Sequence, residues 1–158
     1  EVLDISYNGI EYREDVFKKL KDALSFSSLT DLNVSHNPIG YYSAKYFGSA
    51  LNGTSRLETL NLSHCEISAG GAYAILEGLK RNVCLQNLDL SYNDLRGGAL
   101  LSKKWHEMFK ANKTLLTLKL DGSFIGNDAV LQITKGLVCH PKITKLSLRL
   151  CGAEDSSI

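Results

Sequence analysis

The side chains of this sequence with the greatest chemical reactivity are four cysteines and four histidines. They are Cys65, Cys84, Cys139 and Cys151, and His36, His64, His106 and His140. A thiolate beside a histidine is a nucleophile with its base, and several such side chains in one place can hold a metal ion. Neither pattern is present, because no two cysteines form a C-x-x-C pair and the histidines are scattered. We therefore predict a protein that is not an enzyme, with no catalytic residues, metal site, cofactor or small-molecule substrate.

The composition predicts a single soluble domain and argues against two classes of partner. Of the 158 residues, 44% are hydrophobic, which is enough for a buried core. The 18 basic and 17 acidic side chains leave a net charge of +1, too small to concentrate nucleic acid or an anionic membrane at the surface. No apolar run approaches the roughly 20 residues of a membrane span. We therefore expect no nucleic-acid and no membrane partner.

The sequence repeats itself with a period of 28 to 30 residues. Every repeat has a segment like LETLNLSHCEI, with leucine anchors at Leu3, Leu32, Leu60, Leu88, Leu118 and Leu146. We place the repeats at residues 1–28, 29–56, 57–84, 85–114, 115–142 and, in part, 143–158, in a single domain over 1–158. A fixed period of this length indicates a solenoid. No polar capping repeat is visible, so we expect the chain to be part of a longer protein.

Each repeat is predicted to contain one strand followed by one helix. Leu60 and Leu62 alternate with Asn61, which is the period of a half-buried strand. The apolar period then becomes helical, with predicted buried faces at Val16, Leu20 and Leu24; Ala44, Phe47 and Leu51; Ala72, Ile75, Leu76 and Leu79; Leu101, Trp105 and Met108; and Val130, Ile133 and Leu137. Strands pack about 4.8 Å apart, whereas helices need about 10 Å. The array must therefore curve, with parallel strands on its concave face and helices on its convex face.

The spacing L-x-x-L-x-L-x-x-N/C-x-L, present from Leu57 to Ile67, resembles that of leucine-rich repeats. The repeat length and the full helix are similar to the ribonuclease inhibitor-like class. The resemblance implies an α/β fold, a right-handed solenoid or horseshoe, and a scaffold that binds another protein on its concave face. It leaves three alternatives: a structural component of a cytoskeletal or ciliary assembly, a regulator of a small GTPase, and the sensing arm of a NOD-like receptor.

One position near the end of each repeated segment holds asparagine, cysteine or serine. Its occupants are Asn8, Asn37, Cys65, Asn93, Ser123 and Cys151. In the family that the chain resembles, this asparagine bridges main-chain groups of adjacent turns, and cysteine fits there as a small buried side chain. We interpret all four cysteines as structural, with Cys84 and Cys139 lying between a helix and the next strand. A serine hydroxyl reaches less far than an amide, so repeat five is expected to be looser.

Two sets of side chains are predicted to bind the partner. The first is a row at the strand ends, in which His36 and His64 should stack about one strand spacing apart; the row is Tyr7, His36, His64 and Tyr92. The second lies on the concave face: Asp4, Asn33, Asn61, Asp89, Lys119, Asp121, Lys145 and Arg149. A serine row should follow it at Ser6, Ser35, Ser63 and Ser91. The first four repeats are uniform, so we expect specialisation for a partner in the C-terminal third.

Each set also has a purely structural interpretation. The aromatic and imidazole row can be a solvated rim, and the concave charges can be exposed salt bridges that contribute little. Four unpaired thiols favour a reducing compartment. We therefore expect a cytoplasmic protein, with a cytoskeletal or ciliary location as the alternative.

Overall fold

The fold, taken from a computed structural model, is an alternation of short strands and helices. The structure describes residues 1–53 and 56–152. The strands are β1 (Val2–Asp4), β2 (Asp31–Asn33), β3 (Thr59–Asn61), β4 (Asn87–Asp89), β5 (Thr117–Lys119) and β6 (Lys145–Ser147). The helices between them are α1 (Glu14–Phe26), α2 (Gly40–Leu51), α3 (Ala69–Leu79), α4 (Gly98–Ala111) and α5 (Gly126–Leu137).

The strands form one parallel sheet in which each pairs with the next along the chain. The pairing aligns the repeats without any shift, so that Leu32 lies opposite Leu60 and Leu88 lies opposite Leu118. At the two ends of the row, Leu3 pairs with Leu32 and Leu146 with Leu118. The predicted row of leucine anchors and the α/β solenoid are therefore confirmed.

The core lies between the sheet and the layer of helices. Leu60 on β3 and Leu62 just after it are at most 1% exposed, as are Trp105 and Phe109 on α4. Four of the five predicted helix faces pack on this core as expected, although Val130 and Leu137 are only partly buried. The prediction for α1 was wrong at Val16, which is 40% exposed, because the helix turns Phe17 inward instead. The apolar period alone did not distinguish these two adjacent residues.

Helices α2 and α3 approach each other closely through glycines. A Cβ atom on Gly78 would overlap the carbonyl oxygen of Gly48, and a Cβ atom on Gly48 would overlap the carbonyl oxygen of Ala74. Only a hydrogen atom fits at either position, so larger residues there would push the two helices apart. Since strand spacing is fixed at about 4.8 Å, such contacts let the helices follow the sheet closely.

The asparagine position ties each turn to its neighbour. The Nδ2 group of Asn93 donates to the carbonyl oxygens of Leu62 and Leu90, each at 2.9 Å. Its Oδ1 atom accepts from the main-chain N–H groups of Cys65 (3.0 Å) and Ile67 (2.9 Å). Asn37 makes the equivalent four bonds, three of them to the first repeat and one to Val34 of its own repeat. One buried amide thus satisfies four main-chain groups that the bend would leave without partners.

Cysteine and serine at this position keep the donor half of the arrangement, without the amide oxygen that asparagine supplies. Cys65 Sγ lies 3.4 Å from the carbonyl oxygen of Val34, and Ser123 Oγ donates to that of Leu90 at 2.9 Å. The acceptor role passes to their own main-chain carbonyls, so that Gly40 N–H donates to Cys65 O and Leu95 N–H donates to Ser123 O. Repeat five therefore has fewer side-chain ties than the asparagine repeats, as its serine predicted.

The four thiols differ in their environments. Cys65 and Cys151 are buried, Cys84 is partly buried, and Cys139 is exposed. Burial raises the pKa of Cys65 to about 11 and also raises the pKa of Cys151. The structural interpretation is confirmed for Cys65 and Cys151. The expected burial was wrong for Cys139, which follows α5 and is exposed.

Removing the bridging amide should destabilise the solenoid more than removing the serine hydroxyl. Asn93→Ala leaves four main-chain groups without their partner, so we expect a loss of about 3 kcal/mol or more in the free energy of unfolding. Ser123→Ala removes one hydrogen bond and should cost about 1 kcal/mol. Urea denaturation followed by circular dichroism measures both. Asn87→Ala on the concave face is the control, and equal losses for the two variants would contradict the expectation.

Thiol labelling should separate the buried cysteines from the exposed one. Cys139 is expected to react readily with iodoacetamide, because it is exposed. Cys65 should react at least about 100-fold more slowly, since a pKa near 11 removes nearly all thiolate at neutral pH. Peptide mass spectrometry after timed labelling gives both rates. The labelling rates of Cys65 and Cys139 in urea, where the protein is unfolded, serve as the reference. Comparable rates for the two cysteines in the folded protein would show that Cys65 is accessible.

Candidate protein-binding surfaces

The Asp/Asn residues of the first four repeats hold the turn that follows each strand. A side-chain oxygen of each accepts the main-chain N–H of the serine two residues later, at 2.9 to 3.1 Å; the acceptors are Asp4, Asn33, Asn61 and Asp89. This is the local Asx turn that these residue types favour. Asn33 also donates to Asp4 Oδ2 at 3.0 Å, which links the first two repeats. The uniform pattern of these repeats therefore has a structural cause.

The predicted serine row is only partly available to a partner. Ser35 and Ser91 are each 4% exposed, and the Ser91 hydroxyl accepts from the main-chain N–H of Asp121 at 3.2 Å. The prediction that the serines form a second row on the concave face was wrong for these two. They belong to the turn, because the chain bends inward directly after the strand.

Repeats five and six replace this turn with charged side chains. Lys119 has no side-chain acceptor, and its Nζ atom lies 3.1 Å from Asp89 Oδ2 on the neighbouring strand. Asp121 instead accepts from Ser147 Oγ at 2.6 Å and from the main-chain N–H of Arg149 at 2.8 Å. Burial alone would raise the pKa of Asp121, but these two hydrogen bonds outweigh it and leave the pKa lowered. Asp121 is therefore a carboxylate that organises the turn after β6.

Two further cations stand at either end of β6. Lys145 begins the strand and Arg149 follows it, and both are exposed. Within residues 1–53 and 56–152, neither side chain forms an ion pair. With Lys119 they give this end of the concave face three cations against the carboxylates of Asp89 and Asp121. We name these five residues the C-terminal charge cluster.

A further row of polar side chains on the concave face was not predicted from the sequence. Thr59, Asn87 and Thr117 align across β3, β4 and β5 and are partly exposed. With Asn61, Asp89 and Lys119 they line a shallow cavity of about 140 Å³. The period-2 pattern would have found them, because both neighbours of each leucine anchor point away from the core.

The predicted row at the strand ends is a continuous stack of rings. The ring centroids of Tyr7 and His36 are 3.9 Å apart, those of His36 and His64 4.1 Å, and those of His64 and Tyr92 4.3 Å. The planes are within 15° of parallel. The predicted stacking of His36 on His64 is confirmed. We call these four residues the ring column.

The main-chain conformation determines where the side chains of the ring column lie. Each of its residues has a φ of 53 to 57°, in the left-handed region that is costly for non-glycine residues. Each also donates its N–H to a carbonyl of the next repeat: Tyr7 to Ser35, His36 to Ser63, His64 to Ser91 and Tyr92 to Asp121. These bonds extend the ladder beyond the strands and fix the conformation. Side chains at this register are thereby directed to one side, one above another.

The other two histidines have different surroundings. His140 is 8% exposed, and its Nδ1 atom accepts from the main-chain N–H groups of Lys142 and Ile143 at 3.3 and 3.1 Å. Burial, with a smaller contribution from Lys113, lowers the pKa of His140. His106 lies on α4 with an Nδ1 atom that has no hydrogen-bond partner among the described residues. In the described part of the chain no three His, Cys, Asp or Glu side chains converge as metal ligands would.

The imidazole pair in the ring column should make stability depend on pH. Burial, then the neighbouring His36, lowers the pKa of His64, while Asp89 opposes this weakly. The folded state thus binds a proton less readily than the unfolded state, whose histidine pKa is about 6.5. Stability is therefore complete above that pH and falls as the pH drops below it. The melting temperature should decrease more between pH 7.5 and 5 for the wild type than for His64→Tyr.

Thermal unfolding by circular dichroism at several pH values tests this. Tyrosine already occupies the same register at Tyr7 and Tyr92, so the substitution keeps the stack. His140 titrates in both proteins, so their difference isolates His64. An identical pH profile for the two proteins would contradict a role for the stacked pair.

Comparison with known proteins supports the repeat architecture. The family described as Leucine Rich repeat matches residues 27–47 and 56–76. The chain is 35% identical over 105 residues to NACHT, LRR and PYD domains-containing protein 13 of Homo sapiens, which is 65% of this chain but only 10% of that protein. The chain thus spans about a tenth of the length of this relative.

A solved structure shares the fold. Leiomodin-1 Actin-Binding Site 2 (ABS2) superposes with a TM-score of 0.70 over 87% of this chain and 79% of that one, at 19% identity. Among the described residues, no helix combines the length and the apolar character that crossing a membrane requires. The in-register leucine anchors, the strand–helix alternation and these matches together show that the chain is built of leucine-rich repeats.

Proposed function

We propose that this protein is a scaffold that binds a partner protein on its concave face, chiefly through the C-terminal charge cluster. The observation that carries the proposal is the change between repeats four and five. Asp4, Asn33 and Asn61 are committed to turns and to each other, whereas Lys119, Lys145 and Arg149 extend from the sheet without such a local role. Side chains that the fold does not need are the ones free to contact a partner.

The ion pair within the C-terminal charge cluster can be replaced by contacts with a partner at a small cost in free energy. The side chain of Lys119 is 42% exposed and that of Asp89 is 19% exposed. An ion pair this accessible to solvent contributes only about 0 to 1 kcal/mol. A carboxylate on a partner can therefore replace Asp89 as the neighbour of Lys119. The three cations favour an acidic surface or segment on that partner.

The backbone beneath the cluster is preorganised for binding. Asp121 joins β5 to the turn after β6 through Ser147 and Arg149, and the strand register fixes where Lys119 and Lys145 emerge. A surface already ordered loses less conformational entropy on association than a flexible one.

Two of the alternative functions gain support from particular comparisons. The similarity to NACHT, LRR and PYD domains-containing protein 13 supports the sensing arm of a receptor of the NOD-like type. The fold shared with Leiomodin-1 Actin-Binding Site 2 supports a cytoskeletal component and makes actin the first partner to test. Regulation of a small GTPase stays an alternative that rests on the repeat pattern alone. The proposal of a cytoplasmic location rests on the unpaired thiols.

Charge reversal in the cluster should weaken partner binding. Lys119→Glu combined with Arg149→Glu is expected to reduce affinity about tenfold or more, since each tenfold step is about 1.4 kcal/mol. Asn61→Asp is the control, because aspartate keeps the oxygen that accepts the Ser63 N–H and adds negative charge elsewhere on the same face. Asp121 is kept in both variants, because its replacement would also remove the two hydrogen bonds that hold the turn after β6.

Affinity capture with quantitative mass spectrometry, followed by titration of the captured protein, gives the comparison. Actin filaments are tested in parallel by co-sedimentation. Partners lost with the Lys119 and Arg149 double variant but kept with the control would support the proposal. Equal retention by both variants, or greater loss with the control, would contradict it. Binding to actin that depends on Lys119 and Arg149 would favour the cytoskeletal alternative.

A further inference from the structure

A second candidate surface lies at the strand ends of repeats three to six, outside the concave face. It is a groove of about 910 Å³. Its apolar side chains include Tyr92, Phe124 and Leu150, and its acidic ones are Glu66 and Asp94. Two of its lining residues, His64 and Tyr92, belong to the row predicted from the sequence, whereas Glu66, Asp94, Phe124 and Leu150 were not predicted.

The groove exists because the ring column stops. Gly122 occupies the register of Tyr92 in the next repeat and has a φ of +65°. A Cβ atom there would lie 2.6 Å from Cδ1 of Tyr92, so the tyrosine ring takes the space that a fifth side chain would need. Beyond the glycine no ring covers Tyr92, and the next residue at this register is Leu150.

The groove presents exposed aromatic surface. Tyr92 and Phe124 are each 50% exposed, and Leu150 is 80% exposed. Apolar surface concentrated in one concave site of this kind commonly marks a binding site. Aromatic faces also attract cations through their ring electrons.

The charges of the groove are of one sign. Glu66 and Asp94 line it, and no lysine or arginine is among its described lining residues. Glu66 forms no ion pair with any described residue. His64 also lines the groove, and burial lowers its pKa, so at neutral pH it adds no positive charge. An acidic ligand would therefore be repelled and a basic one attracted.

The chain itself shows that a guanidinium fits against this wall. Arg96 lies 5.5 Å from the ring centroid of Phe124, and its Nε atom donates to Asp94 Oδ1 at 2.8 Å. Arg96 faces the adjoining cavity, which shares Phe124 with the groove. One arginine thus already combines an aromatic face with a carboxylate here. The groove side offers the same combination in Tyr92, Phe124 and Glu66.

We propose that this groove binds an arginine side chain from an extended segment of a partner protein. The planar guanidinium stacks on the aromatic faces of Tyr92 and Phe124 and pairs with Glu66. Apolar residues beside that arginine contact Leu150, which is 80% exposed. The site is separate from the C-terminal charge cluster and stands whether or not the concave face binds a partner.

Titration of the ¹⁵N-labelled protein with the peptide Ac-Gly-Leu-Arg-Leu-Gly-NH2 tests the proposal. Saturable shifts of the Gly122 and Gly152 amide signals are expected. The same peptide with citrulline in place of arginine has nearly the same shape without the charge and should bind about tenfold more weakly. Glu66→Gln and Phe124→Ala should each weaken the arginine peptide. Tyr7→Ala, at the far end of the ring column, is the matched control and should not.

Several results would overturn the proposal. Equal affinity for the citrulline peptide would show that the groove takes apolar groups without regard to charge, and preferential binding of a glutamate peptide would reverse the sign. Shifts confined to other residues would place the site elsewhere. Concentration-dependent shifts at Gly122 without peptide, abolished by Phe124→Ala, would identify a second copy of the chain as the occupant. Lys119→Glu, a change on the concave face, should leave peptide binding unchanged, which separates this site from the concave face.

Discussion

The constraint on which this structure depends is that the main chain of every turn must find its hydrogen-bond partners in the next turn. Strands three residues long supply few bonds of their own, so the ladder must continue through the bend. Asn93 meets the requirement with one buried amide that joins four main-chain groups. Where cysteine or serine replaces asparagine, the main-chain carbonyl of the same residue takes over the acceptor role. The architecture therefore accepts asparagine, cysteine or serine at this position.

The same ladder determines what the strand ends display. Because the turn forces each repeat into a left-handed conformation at one register, the side chains there must stack, whatever their chemistry. Tyrosine and histidine then form a continuous column that shields its own faces. A single glycine, Gly122, breaks the column without disturbing the ladder, since its N–H still donates to Arg149. Surface chemistry can thus change abruptly between two repeats while the backbone does not.

Features that depend on the repeat period could be predicted from the sequence, whereas features that depend on packing could not. The anchor register and the stacking of His36 on His64 follow from translating one unit along the chain. The inward turn of Phe17 rather than Val16, and the exposure of Cys139, depend on how a particular helix is rotated and ends. The close contact at Gly48 and Gly78 involves two helices and leaves no periodic signal in either. Phe124 lines the groove together with residues of other repeats, and the sequence gives no signal that Phe124 joins them.

The structure also shows which side chains of the concave face are needed for folding and which are free to contact a partner. Period-2 alternation suggests that every residue between the leucine anchors is free to vary. The Asx turns show otherwise, because Asn33 and Asn61 close the bend that follows their strands. Variation at such positions is limited to side chains with a short acceptor, unless another group takes over the turn. Asp121 is that group at β6, where it accepts the N–H of Arg149 and so releases Ser147 from the role. A residue that binds a partner can therefore replace Asp or Asn on this face only where another group accepts the main-chain N–H of the turn.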